Sequence, residues 1–334
     1  MQSYFIGLIC LVGNIVAWSS HSPLIADLIH ETGLPNMVLA FSRPVIGSII
    51  LITVCKAFNI NWKCEFKCLF SSGVFLLFNF QLIQMGIVEC ATAGFASAPM
   101  LIEAAGAALL LLIISLWKGS RRSTILARLI TAALTIAIGI AIWEFIKIGV
   151  SLLGVIYSVC CALTWGAFSM TFERAGFKKK VHNPLKLRIA QTTALLIWVS
   201  LLTTPFGVYA MVKNNIDAIV LIRIFADWRF LWITVISTGA AYLLYSITIN
   251  TRVGADGASL GLSLITVISM GSSYILIGDK VTPGLTTAGL LCVVSNALDF
   301  LDKNPLQVFR VKKTMIFTFE NIKRTATAFM SLIL

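Results

Sequence analysis

Charge is what this chain lacks most. Asp, Glu, Lys and Arg together make up 12% of its 334 residues, about half the share with which a soluble domain covers its surface. That scarcity excludes a water-soluble enzyme, a nucleic-acid binder and a disordered protein. Histidine is scarce too, at three residues, and His21, His30 and His182 show no metal-ligand spacing. No phosphate-binding Gly-rich loop precedes a Lys-Ser/Thr pair, and no zincin or G-x-S-x-G signature is present, so nothing supports an ATP-driven pump or a hydrolase. Of the eight cysteines, Cys64 and Cys68 have no nearby His to complete a zinc site. The vicinal Cys160 and Cys161 read as small packed hydrophobes.

Apolar residues are abundant instead: 58% of the chain is hydrophobic and the mean hydropathy is +0.92. A spanning helix needs about 20 mostly apolar residues. The runs between charges give ten such segments, at 3–25, 34–55, 68–88, 90–116, 123–143, 148–171, 188–211, 230–250, 255–277 and 283–301. Two of them enclose a single charge, Arg43 and Glu103, because the apolar blocks on either side are too short to cross alone. The runs are continuous and exceed the ~10 residues of a barrel strand, so an all-α membrane protein is expected. No Lys or Arg precedes Asp27, so the first segment lacks the basic start of a cleavable signal and reads as a retained helix.

The net charge of +12 reports orientation. With the N-terminus placed inside, the loops and tail on that side hold twenty Lys and Arg residues and the opposite loops hold five. This positive-inside bias places both termini in the cytoplasm without invoking nucleic acid. Trp117, Trp143, Trp228 and Trp232 fall at segment ends, where aromatic rings prefer the headgroup level.

Five segments per half force the second half to enter the membrane from the opposite side, the arrangement of inverted repeats that set a substrate site at their interface. Gly7 and Trp18 in segment one are spaced as Gly154 and Trp165 in segment six, and Leu101-Ile102-Glu103 answers Leu264-Ile265-Thr266. The expected units are a first repeat at 1–147, a second at 148–301, and a tail at 302–334. In the tail, Val308, Val311, Met315, Phe319 and Ile322 recur at helical spacing among basic residues, an amphipathic pattern for an anionic leaflet.

Taken together, the Gly7/Trp18 and Gly154/Trp165 helices, Phe41-Ser42-Arg43, Ala96-Ser97-Ala98-Pro99, and Ile277-Gly278-Asp279-Lys280-Val281-Thr282 followed by Ala288-Gly289-Leu290 carry a resemblance. Over about 1–301 the chain resembles the drug/metabolite transporter superfamily, in its EamA-type branch of two five-helix repeats. The resemblance implies a proton- or exchange-driven carrier of amino acids or other small metabolites in a bacterial inner membrane. The chain departs from the family pattern at Trp117-Lys118-Gly119, where an acidic end is usual, and at Glu103, where an apolar residue is usual.

A charge inside a membrane is expensive, about 2.5–3.5 kcal/mol on insertion scales, so Arg43 and Glu103 are the first site candidates. Either they hold a substrate carboxylate and an ammonium group or coupling proton, or they form an ion pair that joins two helices. Polar residues at helical spacing extend the candidate wall: Asn14, Trp18 and His21; Asn79 and Gln84; Tyr242 and Tyr245; Ser259, Ser263, Thr266 and Ser273. The substrate-binding candidates are therefore Trp18, Arg43, Asn79, Glu103, Trp165, Tyr242, Tyr245, Ser263 and Thr266, with interhelical hydrogen bonding as the alternative for the hydroxyls. The expected function is alternating-access transport of an amino acid or similar zwitterion. The rival readings are a carrier of lipid-like or drug-like amphiphiles and a membrane scaffold without flux. Expected partners are the small-molecule substrate and the bilayer, with no cofactor, metal or nucleic acid; proton coupling and a homodimer are left open.

Overall fold

The structure, a computed structural model, describes residues 2–117, 124–177, 184–216, 218–249, 251 and 253–303. Among these there is no β-strand, and ten helical stretches are long and apolar enough to cross a membrane. The first span joins α1 (Gln2–Ser19) to α2 (His21–Thr32). Then come α3 (Asn36–Ala57), α4 (Phe70–Ala91), α5 (Ala98–Trp117), α6 (Thr124–Lys147), α7 (Leu152–Phe177) and α8 (Pro184–Lys213). A short α9 (Ala218–Ala226) precedes the eighth span, which runs α10 (Trp228–Leu231), a π-helical segment (Trp232–Ala240) and α11 (Ala241–Ile249). The last two spans are α12 (Gly254–Ile277) and α13 (Pro283–Lys303). The tail expected to form an amphipathic helix, and the basic residues of 118–123 and 178–183, lie outside the described residues.

Chain punctuation explains the boundaries. The first span extends to Thr32 rather than ending near residue 25, because Asp27 and Glu31 are not left bare: Nη1 of Arg229 lies 2.7 Å from a carboxylate oxygen of each. Gly33 then closes α2 in the left-handed region (φ 64°), donating to the Ile29 carbonyl at 3.0 Å. The expected segment at 90–116 starts later, at Ala98. Residues 92–97 form a loop instead, held by a 2.7 Å bond from the Ala96 amide to Asp279 and a 3.0 Å bond from the Lys280 amide to the Gly94 carbonyl. The polar stretch after α3 winds into two 3-10 turns, Lys63–Glu65 and Lys67–Leu69. There Glu65 is buried and accepts from Gln191 Nε2 at 3.2 Å, and Gln191 in turn accepts from Arg188.

The helices pack in a definite set of pairs. The third span lies on the sixth and the first on the eighth; the fourth lies on the sixth and the first on the ninth. The fourth packs on the fifth and the ninth on the tenth, while the third meets the seventh and the second meets the eighth. The second with the seventh, the fourth with the ninth and the fifth with the tenth complete the bundle. Lipid is as apolar as leucine, so these contacts rest on close fit rather than on exclusion from water. One example is Gly47 of α3 against Gly239, where a Cβ on Gly239 would lie 3.6 Å from the Gly47 Cα. Large apolar side chains face outward, with Ile125, Trp143 and Ile275 each more than 60% exposed, as a lipid-facing belt requires.

Candidate functional site

Seven spans converge on a cavity of about 30 Å³, room for about two water molecules. Its wall takes Trp18 from α1, His21 from α2, Arg43 from α3, Asn79 and Ile83 from α4, Met100 and Glu103 from α5, Trp165 from α7, Tyr242 from α11 and Leu262 from α12. Six of the nine expected binding residues are in that wall: Trp18, Arg43, Asn79, Glu103, Trp165 and Tyr242. The other three are not. Tyr245 sits behind the wall, its ring 5.2 Å from Trp165 and its hydroxyl 2.8 Å from Ser169. Thr266 donates across to the Met100 carbonyl of α5 (3.2 Å), a packing contact, and Ser263 donates within its own helix to the Leu260 carbonyl (2.8 Å).

The aromatic side of the wall is a mutual fit. Trp18 meets Trp165 edge-on at 5.5 Å and Tyr242 at 5.2 Å, and Tyr242 stacks on Phe80 at 5.5 Å. These are the offset and T-shaped arrangements that ring quadrupoles favour. The Arg43 guanidinium lies over the Phe80 ring, 4.3 Å from its centre. A cation over a desolvated ring is stabilised by about 2 kcal/mol.

Arg43 and Glu103 share the cavity without forming an ion pair. Glu103 Oε1 accepts from Asn79 Nδ2 at 2.8 Å, and the Cys161 thiol is a second hydrogen-bond neighbour. Arg43 Nε donates to Thr238 Oγ1 at 3.2 Å, while its buried Nη1 has no hydrogen-bond partner. Nδ1 of His21 is likewise buried without a partner. An unsatisfied buried polar atom costs about 1–3 kcal/mol, and two of them, an Arg43 donor and a His21 ring nitrogen, belong to residues lining one cavity.

Much of this side is positioned by the π-helical segment. Its Thr238 hydroxyl donates to the Ile233 carbonyl five residues back (2.8 Å), stabilising the wider turn, and the same oxygen receives Arg43. Ser237 and α1 are doubly joined: the Trp18 indole donates to the Ser237 carbonyl and the Ser237 hydroxyl to the Ala17 carbonyl, both at 2.6 Å. A π segment is rare and concentrates at functional sites. Its largely apolar character gives no sign of it; Thr234 and the run Ser237-Thr238-Gly239 are its polar or small breaks.

Away from the cavity, the spans are tied at both ends. At the end where the first span finishes, Arg229 is ringed by Asp27, Glu31 and Asp227 at 2.6–2.7 Å. The guanidinium holds the Asp227 carboxyl below the ordinary aspartate range. In the same layer Asp279 is pushed above that range by burial, against the opposing pull of the Ala96 amide. At the opposite end lie the Glu65–Gln191–Arg188 chain and the Trp198 indole, which donates to the Phe66 carbonyl at 2.6 Å. The sequence alone does not reveal the Arg229 cluster, because Asp27, Glu31, Asp227 and Arg229 all fall outside the expected segments 3–25 and 230–250.

No protein-family model and no curated protein matches the chain. Among solved structures, one described as "Crystal structure of protein" aligns with 90% of this chain and 96% of its own length, at 14% identity and a TM-score of 0.53. That likeness concerns the fold alone: the chain is a multi-pass helical membrane protein of ten candidate spans.

Proposed function

We propose that the protein is a secondary transporter of small polar metabolites, with amino acids or similar zwitterions as substrates, working by alternating access around the central cavity. The observation that carries this reading is a buried cation and a buried carboxylate in one cavity, each held by different neighbours rather than by each other, at the meeting point of seven spans. Charges retained at mid-membrane depth without mutual neutralisation are what a substrate pathway needs and a packing contact does not.

The two-repeat organisation belongs to this proposal. Exchanging each span for the one five places on turns the named packing pairs into one another: third-on-sixth becomes eighth-on-first, and fourth-on-fifth becomes ninth-on-tenth. Trp18 and Trp165, equivalent under the same exchange, meet at 5.5 Å. With five spans per half the repeats are inverted, and rocking one against the other exposes a fixed site to alternate sides. The reading includes the resemblance to EamA-type drug/metabolite transporters and, from the positive-inside bias, cytoplasmic termini in a bacterial inner membrane. In that orientation the Arg229 cluster faces outward and the Glu65–Gln191–Arg188 chain faces the cytoplasm.

The cavity's small volume favours a second reading, a scaffold whose interior is filled by its own rings. Counterflow decides between them: proteoliposomes loaded with a pool of amino acids and small metabolites are read by mass spectrometry. Saturable exchange of a few zwitterions supports the carrier. Silence from folded protein across a pool that also includes amphiphiles supports the scaffold. Glu103→Gln is the companion variant. It keeps an acceptor for Asn79, so the protein should fold, while proton-coupled uptake is lost.

A further inference from the structure

The cavity's hydrogen-bonding capacity is unevenly used. On one side Glu103 already accepts from Asn79 at 2.8 Å and has Cys161 beside it. On the other, Arg43 and His21, only 2% and 4% exposed, present Nη1 and Nδ1 with no partner. The first span is also interrupted there. Between Trp18 and His21, both in the wall, α1 stops at Ser19 and α2 starts at His21. Pro23 contributes no amide hydrogen to the first turn of α2, and the buried Ser20 hydroxyl lacks a partner. A half-helix that begins inside a span carries a partial positive charge at its start, a device that receives anionic groups in transporters.

We propose that Arg43, His21 and the start of α2 form a monocarboxylate subsite, and that the carboxylate rather than the amine is the group by which the substrate is recognised. This rests on the transport reading above and shifts its substrate class from zwitterions to monocarboxylates. An amine without a carboxylate would face Glu103, already hydrogen-bonded, and leave Arg43 bare. A neutral sugar would bring hydroxyls but no counter-charge for the guanidinium. A dianionic phosphate would add two negative charges to a desolvated space that already holds Glu103, where like charges oppose one another's ionisation. A single carboxylate neutralises Arg43, accepts from its bare Nη1, and accepts from His21 Nδ1 in the tautomer that carries the proton there. Ile83, Met100 and Leu262 with the Trp18 and Trp165 rings supply an apolar remainder to the wall. The substrates are thus short 2-amino or 2-hydroxy monocarboxylic acids with apolar side chains.

The test is counterflow by the full chain in proteoliposomes with three matched pools: 2-amino acids, the corresponding 2-hydroxy acids, and the amines left when the carboxylate is removed. Each pool carries the side chains of alanine, valine, leucine and phenylalanine, and a fourth pool holds sugars, phosphate esters and lipophilic cations. Amino and hydroxy acids should exchange within about tenfold of each other and the amines should not. Exchange of amines, or of amino acids without hydroxy acids, overturns the proposal. Exchange confined to the fourth pool overturns it while leaving transport standing; silence in all four overturns both. His21→Leu should raise the half-saturation concentration for the acids about tenfold, the effect of one lost hydrogen bond to a charged group. His21→Gln, which keeps a donor, should stay within about threefold. A half-saturation concentration unmoved by His21→Leu removes His21 from the subsite.

Discussion

Arg43 and Arg229 both lie inside spans of this bundle, and their surroundings are opposites. Arg229, at one end, is saturated: Asp27, Glu31 and Asp227 approach its guanidinium at 2.6–2.7 Å, more negative charge than one cation needs. Arg43, at the centre, has no carboxylate in contact, one hydroxyl partner, a phenyl face and a bare Nη1. A saturated cation ties elements together; α2 and α10 are fastened at the point where the chain enters the eighth span. An unsaturated one keeps a donor unused, which is what the proposed role of Arg43 requires. Whether a buried charge is structural or functional is thus decided by what remains unpaired around it, and depth alone does not decide it.

The contrast is sharpest in alanine. Arg43→Ala should lower substrate exchange by at least about a hundredfold, as loss of a buried charged contact does, while folded yield from size-exclusion chromatography is retained. Arg229→Ala should leave the half-saturation concentration unchanged and destabilise the protein by about 1–3 kcal/mol, read from thermal or denaturant unfolding in detergent, because three carboxylates are left facing one another. The reverse outcome, binding lost at Arg229 and only stability lost at Arg43, would break the distinction. Thr238→Val keeps the shape and removes the only hydroxyl that meets Arg43 Nε; a rise in half-saturation of about five- to thirtyfold is expected, equivalent to 1–2 kcal/mol.

The smallest effect concerns pH. The Asp227 carboxyl lies below the ordinary aspartate range, so its contribution is present at neutral pH and is lost only as pH falls through that lowered value. Asp279 has the opposite sign. Its raised value means that the protonated form is favoured in the folded state, and stability declines as pH rises through it. Asp279→Asn keeps an acceptor for the Ala96 amide and should flatten this part of the melting-temperature profile, in the pH range just above the ordinary aspartate value. An unchanged slope would show that Asp279 does not titrate within that window.

The spans were legible because bilayer thickness imposes a run length that few other constraints can imitate, and eight of the ten begin and end within about four residues of the expected bounds. The fourth starts late because residues 92–97 form a loop, and the first runs on from Asp27 to Thr32 for a local reason: a charge neutralised by a residue two hundred positions away looks like a loop in one dimension. Arg43, Glu103, Trp18 and Trp165 could be found because a charge or an indole is conspicuous in an apolar helix. Ser263 and Thr266 could not be separated from packing hydroxyls, since both roles use the same chemistry at the same spacing. His21 was visible as part of a stripe, but its unpartnered nitrogen is a property of its neighbours.

The π-helical segment also bears on how the eighth span is numbered around its own axis. Hydrogen bonds that reach the fifth residue take in about one residue more per turn than those reaching the fourth. Everything after Ala240 is therefore rotated relative to a continuous α-helix drawn from Trp228, and a helical wheel carried straight through the span misassigns its second half. Tyr242 faces the cavity, and Tyr245 packs behind it, on the phase set by those surplus residues. The aromatic wall is in this sense a matter of counting: the azimuth of both tyrosines is fixed upstream, between Trp232 and Ala240, where none of the wall's own rings resides.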